Sequence, residues 1–129
     1  MDKELQRKLF NKHPYIFKQQ VPPSSPFDLY GFENWDGWFD LIDSTASKIQ
    51  EVLYKNSHSF FNTTQLKEKF SSLRWYYDCD EGSYGLISKI ISDAEDESLF
   101  VCEKCGTRDS VTQNKEGYIL TLCPGCRKN

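Results

Sequence analysis

Apolar residues recur at spacings of three and four over residues 36–55, and this period predicts one long amphipathic helix. Asp36 is the expected N-cap, and the helix should end near Lys55. Four charged residues fall on the opposite, solvated side: Asp40, Asp43, Lys48 and Glu51. The apolar stripe, which we expect in the core, is Trp38 or Phe39, Leu41, Ile42, Thr45 or Ala46, Ile49, Val52 and Leu53.

Two further helices are predicted at either end of the chain. Residues 2–12 form a short amphipathic helix in which Leu5 and Leu9 lie one turn apart, and Pro14 closes it. A last helix over about residues 83–98 leads directly into the cysteine-rich C-terminus. We expect it to bury Leu86, Ile87, Ile90, Ile91 and Ala94.

Residues 60–77 favour two short strands rather than a helix. Leu66, Glu68 and Phe70 alternate, and an aromatic run follows Leu73. The strands would turn at Ser71-Ser72, although a helical turn at 65–70 stays open. The fold class expected is therefore α+β, with helices packed on a small antiparallel sheet or hairpin and a zinc-ribbon-like module attached.

Residues 18–27 are proline-rich and predict an extended connector. Apolar residues flank it (Tyr15, Ile16, Phe17 and Phe27), so we expect it to lie over the surface, with a free linker as the alternative. The predicted organisation is an α+β domain over 1–98 and a zinc-ribbon-like module over 99–129.

Two C-x-x-C pairs near the C-terminus predict a metal site. The N-terminus lacks the apolar run that a signal peptide needs, and no stretch approaches the ~20 apolar residues needed to span a bilayer. We therefore expect a cytoplasmic protein in which paired cysteines bind metal, with two disulfides or two redox pairs as the alternative. Cys79 is left over and is expected to be a small, partly buried side chain. The predicted ligands are Cys102, Cys105, Cys123 and Cys126.

The spacing of the two pairs indicates a ribbon built around one Zn²⁺ ion. Residues 106–122 separate them and fit a hairpin with strands over 111–114 and 118–122 and a turn over 114–117. Four thiolates leave no open coordination position, so the metal should be structural.

Charge argues against duplex nucleic acid as a partner. The net charge is -3, whereas phosphate neutralisation needs a surplus of Lys and Arg. With its zinc and thiolates counted, the C-terminal module is close to neutral. The distribution is uneven, because residues 78–97 are acidic and residues 48–77 are basic.

A catalytic role is not predicted. The chain contains no phosphate-binding glycine loop, no nucleophile elbow and no H-E-x-x-H helix. His13 and His58 are expected in solvated loops. Asp36, Asp40 and Asp43 could line one helix face and bind a divalent cation, but a helix cap and an exposed acidic face explain them more simply.

The basic middle of the chain suits an anionic ligand. On a hairpin alternate residues share a face, so Lys67 and Lys69 can lie opposite Arg74 and Tyr76. Cations beside aromatic rings suit a nucleotide-like ligand or single-stranded nucleic acid. The alternative is that Trp75 and Tyr77 belong to the core and the cations to an ordinary solvated face; Trp38 also suits the core. The candidate ligand-binding residues are Trp35, Trp38, Lys67, Lys69, Arg74, Trp75 and Tyr76.

Several fragments occur in an order that resembles a family of small bacteriophage and prophage proteins. They are Trp35-Asp-Gly-Trp-Phe-Asp-Leu-Ile42, Lys67-Glu-Lys-Phe70 with Leu73-Arg-Trp-Tyr76, Ala94-Glu95 with Ser98, Cys102-Glu-Lys-Cys-Gly106, and Thr121-Leu-Cys123 with Cys126. The family pattern is a G-D-G-W-x-x-L-I helix, a K-E-K-F-G-x-L-R-F-Y hairpin and a C-E-x-C-G to T-L-C-x-x-C segment, which covers about residues 35–126. Ser71-Ser72 replaces the glycine-containing turn, which argues against a tight turn with positive φ there.

The resemblance implies a phage origin and a binding role. Our leading expectation is an accessory protein that opposes host defence by sequestering a nucleotide-derived signal or by occupying a host protein. The alternatives are a zinc-ribbon regulator that contacts DNA or the transcription machinery, and an adaptor whose acidic helices mimic nucleic acid. A homo-oligomer stays open at this stage.

Overall fold

The α+β architecture is confirmed by the computed structural model, which describes residues 1–56 and 59–128. The helices are α1 (Lys3–Lys12), α2 (Pro26–Tyr30), α3 (Phe39–Lys55), α4 (Glu81–Glu97) and α5 (Pro124–Arg127). The strands are β1 (Phe32–Glu33), β2 (Phe61–Lys69), β3 (Ser72–Cys79), β4 (Thr112–Gln113) and β5 (Thr121–Leu122).

Helix α3 is the long helix that the period predicts, and most of its stripe is buried as expected, while Val52 and Leu53 near its end are half-buried. The prediction that Asp36 caps it is wrong. The chain first makes a 3-10 turn over Asp36–Trp38, and the α-helix begins at Phe39. The Asp36 carboxylate instead accepts a hydrogen bond of 2.7 Å from the backbone N–H of Asp2, so it ties the N-terminus to this turn.

The main sheet has the order β1-β2-β3, with β2 and β3 antiparallel. The hairpin prediction is confirmed, and the alternative of a helical turn at 65–70 is wrong. The sequence missed β1, which pairs with β2 in parallel and places Phe32 opposite Leu66. A strand of two residues is too short to show a period, so only the tertiary pairing reveals it.

The hairpin turn lies at Phe70-Ser71, one residue before the predicted position, and both residues have positive φ (52° and 70°). The expectation that a chain without glycine avoids such a turn is wrong. The Glu68 carboxylate accepts from the Ser71 N–H at 2.9 Å, and the Thr121 hydroxyl donates to the Ser71 carbonyl at 2.6 Å. These bonds hold a conformation that L residues rarely adopt.

Side chains from the end of α4 and from the turn that follows it cover the free edge of β3. The N–H groups of Leu73 and Trp75 point away from β2 and donate to the Ser98 hydroxyl (2.9 Å) and the Glu95 carboxylate (3.0 Å). Side chains thus satisfy an edge that would otherwise be open to pairing with another strand.

One predicted core residue of α4 is exposed. Ile87, Ile91 and Ala94 are buried as expected, and Ile90 is half-buried. The prediction that Leu86 lies in the core is wrong, because 61% of this residue is exposed. Consecutive residues of a helix lie 100° apart, and Ile87 rather than Leu86 takes the inward position.

The first 30 residues complete the core. Ile16, Phe17 and Phe27 are buried, and the Phe17 ring stacks on Trp75 at 5.4 Å between centroids. The connector between them is exposed, but the Asp28 carboxylate anchors it by accepting from the N–H groups of Gln20 and Ser24. The connector therefore lies over the surface as predicted, and the free-linker alternative is wrong.

His13 is buried, which contradicts its predicted place in a solvated loop. Its exposure is 2%, and its Nε2 lies 2.6 Å from the Asp43 carboxylate, which is thus also drawn off the solvated face. Burial would raise the pKa of the Asp43 carboxyl, but hydrogen bonds from His13 and Lys12 outweigh it and lower the pKa. His58 lies outside the described residues.

The C-terminal module docks on the turn before α3. The Gly37 N–H donates to the Glu103 carbonyl at 2.8 Å, and the Trp38 indole donates to the Val101 carbonyl at 2.9 Å. A Cβ atom on Gly37 would lie only 2.0 Å from the Cys102 carbonyl oxygen. The division at residue 98 stays a prediction, but these bonds join the two segments.

We expect Gly37→Ala to destabilise the protein by about 3 kcal/mol or more, because a methyl group there overlaps backbone atoms that cannot move aside cheaply. The matched control is Gly85→Ala in α4, where an added Cβ meets nothing within 4 Å. That change should be neutral or stabilise by up to about 1 kcal/mol. Urea denaturation measures both; equal stability of the two variants would contradict the close packing at Gly37.

Asp43→Asn should lower the free energy of unfolding by about 1–2 kcal/mol, since it removes a charged partner from a buried histidine. Asp40→Asn is the control, because Asp40 lies one turn earlier on α3 and is exposed. Thermal unfolding at neutral pH compares them. A loss no larger for Asp43→Asn than for Asp40→Asn would show that the His13 contact contributes nothing.

Candidate metal centre and sheet face

Four cysteine sulfurs converge at the C-terminus and can hold one metal ion, as predicted. The Sγ atoms of Cys102, Cys105, Cys123 and Cys126 all lie within 4.8 Å of one another. No disulfide joins any of the five cysteines, so the disulfide alternative has no support. In the described ranges, no other group of His, Cys, Asp or Glu converges in this way; the cation site considered at Asp36, Asp40 and Asp43 is therefore not formed.

Local backbone geometry positions the sulfurs. In the first knuckle the Gly106 N–H donates to the Cys102 carbonyl at 3.0 Å, and Gly106 has a φ of +80° that favours glycine. In the second, the Cys126 N–H donates to the Cys123 sulfur at 3.4 Å as α5 begins. Both tight turns bring two sulfurs to one point and aim backbone dipoles at them.

The thiols of Cys102 and Cys126 have pKa values shifted in opposite directions by their surroundings. Burial opposes ionisation of Cys102, but hydrogen bonds from the backbone of Cys105, Cys123 and Lys104 lower the pKa of this thiol to about 6. The Cys123 sulfur and the other neighbouring thiols raise the pKa of Cys126 to about 12. One thiolate therefore suppresses ionisation of the next, and a metal ion bound among the four sulfurs would balance their charge.

The two knuckles are bridged by a hairpin that is shorter than predicted. Only Thr112–Gln113 and Thr121–Leu122 pair as strands. The Asn114 side chain organises the loop between them, because its amide donates to the carbonyls of Glu116 and Tyr118 and its oxygen accepts from the Leu120 N–H. These side-chain hydrogen bonds fix the loop, so the hairpin holds its shape with only short strands.

Four of the predicted ligand-binding residues share the outer face of the main sheet. Lys67 lies directly opposite Arg74, and Tyr76 lies opposite Gln65, while Lys69 follows two residues along β2. Lys67 and Arg74 are half-buried, and Tyr76 is 45% exposed. Throughout residues 1–56 and 59–128, none of the ion pairs involves Lys67, Lys69 or Arg74. The face therefore carries three cations outside these ion pairs, beside an exposed ring. Each still has a neighbour: Glu33 lies opposite Lys67, the Lys69 ammonium lies 5.6 Å from the Phe70 ring centroid, and Arg74 attracts the Glu95 carboxylate.

The three tryptophans do not reach this face. Trp38 and Trp75 are buried (0% and 2% exposed) and donate to the Val101 carbonyl and the Thr63 hydroxyl, so their rings belong to the core. Trp35 is 44% exposed but lies beside the C-terminal module, where the Lys104 ammonium sits 5.0 Å from its ring centroid.

Two concave regions have no signal in the sequence. One cavity of about 310 Å³ lies between the N-terminal segment and the end of α3, with Tyr15, Leu53, Tyr54 and Phe60 among its walls. A second, of about 300 Å³, lies where β1 and the hairpin turn meet the C-terminal module. Glu103 lines this junction cavity, and burial raises the pKa of its carboxyl to about 7. Its walls come from distant segments, which is why no motif marks it.

Among the residues that the structure describes, no helix is long and apolar enough to cross a membrane. Comparison with protein-family models, with curated proteins and with solved structures gave no match.

Proposed function

We propose that this is a zinc-stabilised binding protein without a catalytic role, which captures a nucleotide-like anion on the outer face of its main sheet. The supporting observation is the row of cations beside Tyr76, Lys67, Lys69 and Arg74, which belong to none of the ion pairs of the described residues. If the chain is of phage origin, as its motifs suggest, the ligand would be a nucleotide-derived defence signal of the host, and the role would be counter-defence in the host cytoplasm.

The cations are placed where a phosphate would bridge them. Residues directly opposite on antiparallel strands have Cα atoms about 5 Å apart, so Lys67 and Arg74 repel each other. Glu33 beside Lys67 and Glu95 near Arg74 offset part of this repulsion, and an anion between the two cations would offset it directly. The Arg74 Nε is also buried without a hydrogen-bond partner. A phosphate accepts from both side chains at once, and charge-assisted bonds of this kind are the strong ones.

Tyr76 extends the site along β3. It lies two residues from Arg74 on the same face, which is about 7 Å along the strand. A base stacked on its ring and a phosphate held by Arg74 and Lys67 fit within one nucleotide, and stacking tolerates any base. The face is open rather than concave, so the phosphate contacts would supply most of the affinity.

Zinc is the metal that best fits the cysteine group. Zinc–sulfur bonds of about 2.3 Å in a tetrahedron place the sulfurs roughly 3.8 Å apart, and the Cys105 and Cys123 sulfurs lie 3.7 Å apart. All four ligands come from the protein, so the ion would be structural.

Contact of the module with DNA has less support. The module is close to neutral with zinc bound, and Cys102, Glu103 and Thr121 are buried where it meets the rest of the protein. The surface that the module exposes to solvent therefore carries little surplus positive charge with which to bind phosphates.

We expect purified protein to contain one zinc ion per chain by mass spectrometry of the metal. Cys105→Ser should lower the zinc content and the melting temperature, because three thiolates hold the ion less tightly. Cys79→Ser, which changes the one cysteine outside the group, is the control and should keep full zinc. Iron in place of zinc would contradict the identity of the ion, and metal-free folded protein would contradict the centre itself.

Calorimetry against nucleoside mono- and diphosphates, cyclic nucleotides and short oligonucleotides tests the sheet face. We expect Arg74→Ala and Lys67→Ala each to weaken binding roughly 10- to 100-fold, the equivalent of a lost charge-assisted hydrogen bond. Arg7→Ala and Lys48→Ala remove cations from exposed helix positions and should change nothing. Absence of heat with every compound, or equal binding by Arg74→Ala, would count against the proposal.

A further inference from the structure

The junction cavity carries negative charge where the outer sheet face carries positive charge. It has a volume of about 300 Å³, large enough for a small ligand. It lies between the end of β1, the hairpin turn and the loop that precedes β5. The residues that define its chemistry are Glu33, Asn34, Trp35, Glu68, Glu103 and Tyr118.

Three carboxylates border this cavity. Glu103 is 2% exposed and accepts from the Thr121 N–H at 2.5 Å. Glu68 accepts from the Ser71 N–H and from the Tyr118 hydroxyl, both at 2.9 Å. Within the described ranges, none of the ion pairs involves these two residues or Glu33. These three carboxylates therefore belong to none of these ion pairs, although Lys67 lies opposite Glu33 in the pairing of β1 with β2.

Two buried acceptors at the cavity lack donors. The Glu33 Oε1 and the Asn34 Oδ1 have no hydrogen-bond partner. Asn34 as a whole is 5% exposed, and its amide nitrogen is already used, since it donates to the Trp35 carbonyl at 2.8 Å. A buried acceptor without a donor is costly, so the site calls for a group that brings several N–H donors.

The surroundings already attract ammonium groups. The Lys104 ammonium lies 5.0 Å from the Trp35 ring centroid, which is cation–π range. The Met1 ammonium, at the edge of the same cavity, donates to the carbonyl oxygens of Phe32 and Asn34. The Lys104 ammonium thus contacts a ring and the Met1 ammonium contacts carbonyl oxygens, so neither forms an ion pair with the carboxylates of the cavity.

We propose that the junction cavity binds a small organic ammonium group, such as a primary alkylamine. Its N–H groups would donate to Glu33 and Asn34, its charge would be balanced by Glu33 and Glu68, and its alkyl part would lie against Trp35 and Tyr118. A bare metal ion fits less well, because the only convergent ligand group in the described residues is the cysteine cluster.

The inference differs from the proposed function in the charge of the ligand and in the residues that bind it, although Glu33 of the cavity and Lys67 of the sheet face are neighbours across β1 and β2. Titration of the zinc-loaded full chain with n-butylammonium, followed by two-dimensional NMR, tests it. We expect saturable shifts at Asn34, at Glu103 and at the Trp35 indole, with a dissociation constant on the order of 1 mM. Neutral n-butanol should bind at least fivefold more weakly, and added salt should weaken only the amine.

Two variants locate the site. Glu68→Gln keeps hydrogen-bonding capacity but removes a charge, and Trp35→Leu removes an exposed ring without touching the core. Each should weaken n-butylammonium binding at least fivefold while the spectrum stays that of the folded protein. Glu81→Gln, an exposed acid at the start of α4, should bind as the wild type does. Equal binding of butanol, shifts scattered over the surface, or unchanged binding by both variants would overturn the proposal.

Discussion

The close approach of Gly37 to the first cysteine knuckle is the contact on which the rest of the structure depends. Two backbones meet there without room for a side chain, and Gly106 faces the Gly37 carbonyl in turn, where a Cβ would lie 2.9 Å from its oxygen. The contact aligns the Trp38 indole with the Val101 carbonyl. The long helix, the hairpin turn and the metal centre are thereby held in one arrangement, so the cysteine cluster supports more than its own loops.

Strand geometry explains how consecutive charged residues of β2 reach two different surfaces, the outer face of the sheet and the junction cavity. Lys67, Glu68 and Lys69 are consecutive, and successive side chains of a strand point to opposite faces. The lysines therefore join Arg74 on the outer face of the sheet, while Glu68 turns toward the hairpin turn and Tyr118. Alternation along one strand therefore places neighbouring residues of opposite charge at two different surfaces.

The features that the sequence predicts well are those with a local signature. The stripe of α3, the paired cysteines and the alternation of β2 and β3 each show in neighbouring residues, and each is confirmed. The features missed depend on distant partners. His13 looks like a loop residue until Asp43, thirty residues away, is seen beside it. The positive φ of Ser71 is tolerated because Thr121, fifty residues away, bonds its carbonyl. Periodicity places the cations of the basic-aromatic centre on one face of the sheet, but it cannot tell a core tryptophan from an exposed one.

If the Gly37 contact holds the C-terminal module and the helical domain together, the two should form one cooperative unit. Native-state hydrogen exchange of the Gly37 amide and the Trp38 indole N–H, with zinc bound and after its removal by a chelator, measures this coupling directly. We expect both protons to exchange about tenfold faster or more without metal, although neither belongs to a metal ligand. Unchanged protection of both after complete loss of the ion would show that the module is only an appendage.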